Sequence, residues 1–150
     1  MKRECGRWGH RLRGHGYKCT PGRELILDIL ESTNEHLSPE EIYSKVSTEY
    51  PEIGLTTVYR TLDMLINLGI VSKLDFGEGK SRYELSENHS NKKHHHHLVC
   101  NRCGKIIDYS DFMNEEIDFL NKIEKKLGKK YNFKINNHFI KFDGLCSECG

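Results

Sequence analysis

Two cysteine pairs and a run of histidines carry most of the chemistry in this sequence. Four consecutive histidines, His94–His97, lead into Cys100-Asn-Arg-Cys103, and a second pair, Cys146-Ser-Glu-Cys149, follows near the end of the sequence. Two such pairs can supply four thiolates to one structural zinc ion, whereas imidazoles with nearby carboxylates suit an exchangeable divalent metal. The sequence therefore predicts one metal that builds the structure and a second that exchanges.

The remaining cysteines have to be judged together with the compartment. The sequence has no apolar N-terminal stretch of the secretory type and no apolar run of the ~20 residues needed to cross a bilayer. We therefore expect a cytoplasmic protein, in which Cys-x-x-Cys pairs are more typical of metal than of disulfides. Cys5 and Cys19 match no known ligand spacing. Ordinary reduced thiols are the favoured interpretation for them, and a redox or metal role stays open.

Composition limits the size of the core and leaves the partner open. The chain has 150 residues, of which 36% are hydrophobic and 30% charged, enough for one ordinary domain or two small ones. The formal charge of +1 neither favours nor excludes a nucleic-acid partner. The first twenty residues, however, hold six Lys or Arg against Glu4 alone, and we expect them to form a basic N-terminal arm.

Three helices are predicted in the first half of the chain. The first begins at Thr20 and carries apolar residues at helical spacing. The second begins at Ser38, which can cap the helix, while Glu41 completes a capping box. The third begins after Gly54 and ends at Gly69, because glycine is the preferred residue just beyond a helix.

A β-hairpin is predicted to follow the third helix. Ile70–Leu74 and Ser81–Leu85 have the composition of strands, and three helices with a hairpin predict a winged helix-turn-helix domain over residues 1–85. In such a domain the third helix enters the DNA major groove. Arg60 can then donate to guanine and Tyr59 can pack on thymine methyl groups. The alternative is that both are surface residues of an ordinary small helical domain.

The second half is predicted to be a small α+β domain. Residues 86–93 are polar and are predicted to be a hinge, and residues 94–150 form the second domain. The predicted elements are a strand over Lys105–Tyr109, a helix over Asp111–Leu127, and strands over Tyr131–Ile135 and His138–Phe142. A unit of this size buries little apolar surface, so we expect it to need its zinc ion and a partner subunit.

The histidine run can serve two metal sites at once. If residues 92–99 are extended, successive side chains point to opposite faces. His94 and His96 then lie on one face, and His95 and His97 lie on the other. The pattern therefore predicts a separate cluster of imidazoles on each side of one strand.

The order of these elements, together with several short motifs, resembles the ferric uptake regulator (Fur) superfamily of bacterial metal-dependent repressors. The resemblance covers residues 14–150. The motifs are Gly16-Tyr17-Lys18-Cys19-Thr20-Pro21-Gly22-Arg23, Thr57–Arg60, Gly79–Glu84, and the block from His94 to Cys103 with the closing cysteine pair. The resemblance implies an α+β protein in which a winged helix-turn-helix domain precedes a small α/β dimerisation domain with a four-cysteine zinc site.

The resemblance also implies a role for individual residues. Structural zinc would be held by Cys100, Cys103, Cys146 and Cys149. A regulatory site for Fe(II) or Mn(II), with Zn(II) able to substitute, would comprise His36, Glu84, His95, His97 and Asp108. An additional metal site would comprise His94, His96, Glu115 and His138. DNA contacts would come from Lys18, Tyr59 and Arg60. Metal binding is expected to close a homodimer onto an AT-rich pseudo-palindromic double-stranded operator, with no membrane or small organic substrate involved.

Three branches of the family are compatible with these residues. The Fur type is favoured by Arg60 and Glu84, whereas Asp108 is more typical of the peroxide-sensing PerR branch. In that branch bound Fe(II) reacts with peroxide and oxidises a ligand histidine, here His36 or His95. A zinc-uptake regulator (Zur) is less favoured, because the regulatory set contains no cysteine.

Two other classes of protein were weighed against a regulator. A metallohydrolase needs an open metal position for water and usually a general base. Five protein ligands leave little room for that water, and the sequence contains no HExxH motif, so we expect no enzymatic activity. A metal store or chaperone is the other alternative, and operator binding would separate it from a regulator.

Overall fold

The computed structural model describes residues 5–86 and 94–150. The chain divides into two units, Met1–Asn91 and Lys92–Gly150. The predicted hinge lies outside the described residues from position 87 onward. No helix in the described ranges combines the length and the apolar character that a membrane span requires.

The described residues of the first unit form four helices and a two-stranded antiparallel sheet. The helices are α1 (Arg7–Gly14), α2 (Pro21–Ser32), α3 (Pro39–Glu49) and α4 (Leu55–Asn67), and the strands are β1 (Val71–Asp75) and β2 (Ser81–Leu85). The three predicted helices correspond to α2, α3 and α4, and the predicted hairpin is β1 and β2. The α+β class and the winged helix-turn-helix arrangement are therefore confirmed.

The helix boundaries follow from their capping residues. The Thr20 side chain accepts a hydrogen bond from the backbone N–H of Arg23 at the start of α2. The capping box predicted at α3 is present, with Ser38 and Glu41 each bonded to the backbone of the other. Gly69, just beyond α4, has φ of +68°, a left-handed conformation that glycine adopts without strain.

Helix α1 is a departure from the prediction of a simple basic arm. Trp8 and Leu12, one helical turn apart, are 2% and 0% exposed, so one face of the segment belongs to the core. Arg7 and Arg11 place their guanidinium groups 4.9 and 5.2 Å from the centre of the Trp8 ring. The many charges obscured a short amphipathic pattern that has only two large apolar residues.

The core of the first unit is built by the helices together with the sheet. The fully buried apolar residues include Leu12, Ile26, Leu27, Ile42, Val46, Val58, Leu62 and Leu65. Val58, Leu62 and Leu65 are the inner stripe predicted for α4. Their burial leaves the opposite side of α4 exposed to solvent.

A short backbone bridge ties the segment before α3 to the sheet. Leu37 and Tyr83 exchange two backbone hydrogen bonds, of 3.3 and 2.8 Å. Because neighbours of bridged residues are also close, this bridge brings His36 beside Glu84. The bridge is thus the element that assembles one pair of candidate metal ligands.

The second unit is a three-stranded sheet with one helix. Its elements are β3 (His96–Cys100), β4 (Ile106–Tyr109), α5 (Met113–Tyr131) and β5 (Lys141–Gly144). The strand order is β4-β3-β5, with β3 antiparallel to β4 and parallel to β5. The histidine strand is therefore the central strand of the sheet.

Two strand predictions in this unit are wrong. Tyr131 ends α5 instead of starting a strand, and Asn132 closes the helix with φ of +50° and an N–H bonded to the carbonyl of Gly128. The last strand begins at Lys141, not at His138. The alternating pattern of Phe133 and the residues after it has no strand to pair with among the described residues of this unit.

Much of the apolar surface of the second unit is exposed. The large exposed side chains include Phe119, Tyr131, Phe133, Phe139, Phe142 and Leu145, each between 46% and 67% exposed. Among its described residues, the buried hydrophobic set is limited to Val99, Cys100 and Met113. Such a balance is unusual for an isolated domain and typical of one that is completed by another chain.

Candidate metal centres and nucleic-acid interface

Four cysteines from distant parts of the sequence meet at one end of the sheet. β3 and β5 align Cys100 with Gly144, which brings the two Cys-x-x-Cys segments together. Ligand atoms of the four cysteines all lie within 4.8 Å of one another, and the Sγ atoms of Cys103 and Cys146 are 3.8 Å apart. A zinc tetrahedron with bonds of about 2.3 Å has edges of about 3.8 Å. The donor set and its size therefore fit a structural zinc ion.

The electrostatics of this cluster also favour a cation. Hydrogen bonds from the backbone of Cys103, Cys146 and Arg102 lower the pKa of Cys100 to about 6. A hydrogen bond from the Cys149 thiol to Cys146, together with burial, raises the pKa of Cys149 to about 12. The Cys100 thiol is thus readily deprotonated, whereas the Cys149 thiol stays protonated. Only a bound cation would stabilise four thiolates together, and zinc requires its thiol ligands deprotonated.

The first unit holds a nearly buried histidine–carboxylate pair. His36 Nε2 lies 3.1 Å from Glu84 Oε2, and the two side chains are 5% and 12% exposed. The edge of the Phe76 ring packs against the His36 ring, with ring centres 5.3 Å apart, and Arg82 donates to the His36 carbonyl over 2.8 Å. Ser38, not His36, caps α3. His36 is therefore not a helix-capping residue, and its contact with a carboxylate is an arrangement that a metal ligand can adopt.

The second unit holds a matching set of two imidazoles and a carboxylate. β3 and β4 pair His97 with Asp108, and Asp108 Oδ1 lies 3.0 Å from His97 Nδ1. The other oxygen of Asp108 lies 3.8 Å from His95 Nε2, and the two imidazole rings are 5.0 Å apart. Nitrogen and carboxylate donors in this combination suit an exchangeable divalent metal.

The opposite face of β3 carries a three-histidine cluster. His96 Nε2 lies 3.1 Å from His94 Nε2 and 3.4 Å from His138 Nε2. A tetrahedral site with metal–nitrogen bonds of about 2.05 Å has edges of about 3.3 Å. Burial lowers the pKa of His96, which favours the neutral imidazole that a metal requires. The predicted alternation of the four histidines between two faces is confirmed.

The structure does not bring the predicted carboxylate, Glu115, to this cluster, and two other carboxylates lie beside it. The Glu115 side chain is exposed and has no hydrogen bond or ion pair within the described ranges. Instead, Glu116 bonds to Nδ1 of His96, and Glu124 lies 2.8 Å from Nδ1 of His138. Glu116 lies one turn beyond Met113, the buried first residue of α5, and faces the sheet, whereas Glu115 is rotated about 100° away.

Both carboxylates bind the outer ring nitrogen and leave Nε2 facing the cluster. Carboxylates in this position orient metal-binding histidines. Tyr109 donates to Glu116 over 3.0 Å, and burial together with this bond raises the pKa of Tyr109 to about 12. Sequence reasoning missed Tyr109, Glu116 and Glu124. The helical spacing of Glu116 and Glu124 from Met113 was the available signal.

Replacing Glu116 by alanine should weaken metal binding at the three-histidine cluster by about 10- to 100-fold, because His96 loses the group that orients it. Titration with Co(II), followed by its absorption spectrum, would measure the affinity. The matched control is Glu115→Ala, which removes the same charge from the neighbouring helix position. Equal losses of Co(II) affinity in both variants would contradict a specific role for Glu116 in orienting His96. They would point to the general negative charge of α5, or to Glu115 itself as a ligand.

The exposed side of α4 presents the residues predicted to read DNA. Tyr59 is 40% exposed and donates from its hydroxyl to Glu40 over 2.8 Å; this bond lowers the pKa of Glu40 and raises that of Tyr59. Arg60 is exposed beside it, and Lys18 is exposed between α1 and α2. The Glu40 contact therefore fixes the Tyr59 ring in one orientation on the polar face.

Known proteins resemble this chain over most of its length. The sequence model of the ferric uptake regulator family matches residues 14–143. The ferric uptake regulation protein of Bacillus subtilis is 39% identical over 150 residues, 99% of this chain and 96% of that protein. The peroxide-responsive repressor PerR of Staphylococcus aureus is 33% identical over 138 residues, 92% of this chain and 86% of that protein. The structure of the Helicobacter pylori regulator Fur, which has three functional metal-binding sites, superposes with a TM-score of 0.72 at 31% identity, covering 95% of this chain and 89% of that one.

Proposed function

The chain belongs to the ferric uptake regulator family of metal-dependent transcriptional regulators, and from that premise we propose how its own residues act. It works as a homodimeric repressor in the cytoplasm, and Fe(II) or Mn(II) increases its affinity for an AT-rich pseudo-palindromic operator. The observation that carries this proposal is that each unit holds its own histidine–carboxylate set. His36 and Glu84 form the set in the first unit, and Asp108 with its histidines forms the set in the second.

We assign the four-cysteine cluster to structural zinc. The cluster joins the end of β3 to the segment after β5, and Asn101 and Arg102 add hydrogen bonds of 2.8 and 2.6 Å to Gly144 and Cys149. Zinc bound there would stabilise a sheet that buries few apolar side chains. Its role is therefore to hold the second unit folded, with no part in sensing.

We assign regulation to a site that combines both histidine–carboxylate sets. Its ligands would be His36, Glu84, His95, His97 and Asp108. With ligands from both units, binding Fe(II) or Mn(II) would restrict the DNA-binding unit to one orientation relative to the dimerisation unit. A shift from mostly open to mostly closed protein requires about 5 kcal/mol of differential affinity, which three imidazoles and two carboxylates are able to supply.

The three-histidine cluster is the additional metal site in this proposal. His94, His96 and His138 are its ligands, oriented by Glu116 and Glu124. All of these residues lie in the second unit. Metal bound there would therefore connect the histidine strand to the segment between α5 and β5 and stabilise the dimerisation unit without directly touching DNA.

The homodimer is supported by the exposed apolar residues of the second unit. Phe133 is 67% exposed and Phe142 54%, and residues 133–139 keep an alternating pattern without a strand partner in the described part of this unit. A second copy of the chain would cover these side chains. Two copies related by a twofold axis also match the symmetry of a pseudo-palindromic operator.

In operator recognition, α4 would lie in the major groove. Tyr59 and Arg60 would contact base edges there, and Lys18 would contact the backbone or the minor groove. The family consists of transcriptional regulators, and a non-enzymatic role follows from that membership.

Replacing Arg60 by alanine should weaken operator binding by about 10- to 100-fold and leave binding to unrelated DNA nearly unchanged, because Arg60 is assigned to base edges. Fluorescence anisotropy with both duplexes at one salt concentration measures the ratio. Lys122→Ala, which removes one positive charge from the exposed side of α5, is the control. Equal losses on operator and unrelated DNA would contradict a base-reading role.

The central experiment is anaerobic DNA binding by the zinc-loaded dimer, titrated with Fe(II), on an AT-rich pseudo-palindromic duplex. We expect Fe(II) to switch binding on. A brief pulse of peroxide should then reduce binding, and fresh Fe(II) should restore it. No response to Fe(II) would refute iron regulation and direct attention to manganese or zinc.

The peroxide-sensing function is the second candidate, and Asp108 is the observation that favours it. Its two oxygens contact His95 and His97, and aspartate at this position is typical of the PerR branch. That candidate predicts that the peroxide pulse abolishes binding irreversibly. Mass spectrometry would then find one added oxygen on His36 or His95.

A further inference from the structure

Cys5 and Cys19, the cysteines outside the zinc cluster, are joined by a disulfide with their Cα atoms 6.2 Å apart. The expectation of two ordinary reduced thiols is therefore wrong for this structure. Cys5 precedes α1 and Cys19 precedes the N-cap of α2. The bond thus encloses the whole of α1 together with Lys18, the residue assigned to DNA in the proposed function.

Contacts independent of the disulfide hold the two cysteines close together. The backbone N–H of Gly6 donates to Glu24 Oε1 of α2 over 2.6 Å, and Arg7 forms an ion pair with Glu31. Trp8 and Leu12 are buried in the core. Because these contacts fix α1 on α2 on their own, the reduced thiols would remain neighbours and would be ready to bond.

The surroundings of the pair suit both redox states. Sγ of Cys5, Sγ of Cys19 and a carboxylate oxygen of Glu24 all lie within 4.8 Å of one another. Glu24 is 8% exposed, and its Oε2 is buried without a hydrogen-bond partner in the described structure. In the reduced state a thiol S–H beside the Glu24 carboxylate can donate to it. Oxidation removes that donor and leaves a buried acceptor unsatisfied, which favours a return to the reduced state.

The absence of a side chain at Gly9 leaves room for the Cys5 side chain. A Cβ atom at position 9 would lie 2.5 Å from Cβ of Cys5, closer than two non-bonded carbon atoms can approach. Any side chain at Gly9 would displace Cys5 from its place beside Cys19. Both cysteines are also partly exposed, so a small oxidant has access to them.

We propose that Cys5 and Cys19 form a reversible thiol–disulfide site, oxidised by a hydroperoxide, that locks α1 and Lys18 onto α2. Disulfides in cytoplasmic proteins are usually transient and redox-sensing. One thiolate attacks the peroxide O–O bond and becomes a sulfenic acid, and the second thiol displaces its hydroxyl. The two thiols lose two electrons and two protons, and hydrogen peroxide is reduced to two waters. Low-molecular-weight thiols reverse the reaction.

The expected consequence is a change in how firmly the basic arm is held. The contacts of α1 with α2 let the reduced protein open this segment transiently, and the disulfide prevents that opening. The locked arm therefore keeps Lys18 in place and loses less freedom when DNA binds, which raises affinity. This consequence rests on the proposed function. The formation of the disulfide and its effect on α1 do not.

The experiment uses the full-length zinc-loaded dimer with Mn(II), so that no iron is present to oxidise ligand histidines. One equivalent of hydrogen peroxide per protomer is added, free thiols are alkylated, and peptides are mapped by mass spectrometry without reduction. We expect the Cys5–Cys19 cross-linked peptide with zinc retained. Limited trypsin cleavage after Arg11 and Arg13 should slow about tenfold, and glutathione should restore it. The double variant C5S/C19S should be cleaved at the reduced rate with or without peroxide.

DNA binding is the second measurement. The oxidised dimer should bind the operator about fivefold more tightly than the reduced dimer, and C5S/C19S should be insensitive to peroxide. Absence of the cross-link, or unchanged cleavage rates despite it, would overturn the proposal. An unchanged operator affinity would overturn the coupling to Lys18. One zinc less per chain in C5S/C19S, with no cross-link in the wild type, would make the pair a metal site instead. If neither redox form binds the operator, the proposed function fails, while the peptide map and cleavage rates still decide this proposal.

Discussion

Replacing Cys103 by serine is expected to release one zinc ion per chain and to unfold the second unit with it. Serine offers no thiolate, so the tetrahedron loses a ligand and the remaining sulfurs repel one another. Structural zinc contributes about 10 kcal/mol or more in small domains, comparable with the whole stability of a domain. The second unit buries few apolar side chains among its described residues. It therefore has little else to hold it together.

Zinc content, circular dichroism and sedimentation would be measured on the same preparation. Dimerisation should be lost together with zinc, because both depend on the folded sheet. Cys19→Ser is the matched control: it makes the same substitution in the first unit and should keep one zinc per chain in the four-cysteine site. A folded Cys103→Ser dimer without zinc would contradict the assignment of the four-cysteine cluster to structural zinc.

Local signals in the sequence were sufficient wherever one or two residues determine the structure. The capping box of Ser38 and Glu41 and the alternation of the four histidines depend only on neighbouring positions, and both were predicted correctly. The zinc cysteines were also recognisable, because Cys-x-x-Cys spacing itself expresses the metal geometry. Composition and spacing thus account for the four-cysteine cluster and for the division of the four histidines between two faces, whereas Asp108 and His138 were expected only from the family resemblance.

Predictions failed where tertiary contacts decide. Trp8 is buried only because α1 packs on α2, so its helix was not foreseen. Whether Glu115 or its neighbour Glu116 faces the three-histidine cluster depends on where α5 begins, which the sequence pattern does not define. The strand predicted at Tyr131 is wrong because α5 extends to that residue and ends at Asn132. The pairing of Cys5 with Cys19 depends on the return of the chain from α1 to α2, which no spacing rule expresses.

The second large effect is expected from Asp108→Ala. This change removes the carboxylate that lies between His95 and His97, so both imidazoles lose their common partner. Loss of a ligand or of the group orienting it typically weakens metal binding by about 10- to 100-fold. Metal and DNA binding are linked, so the Fe(II) or Mn(II) concentration at half-maximal operator binding should rise by the same factor.

Asp111→Ala is the control for Asp108→Ala, since Asp111 is exposed three residues further along and its loss changes the charge equally. It should leave the metal response intact. Both variants should keep structural zinc and the dimer, which separates loss of sensing from loss of folding. An Asp108→Ala protein that still needs only the wild-type concentration of Mn(II) would remove Asp108 from the regulatory set. If instead it binds the operator fully without metal, the negative charge of Asp108 would oppose the closed state in the wild type. The metal would then act by neutralising that charge.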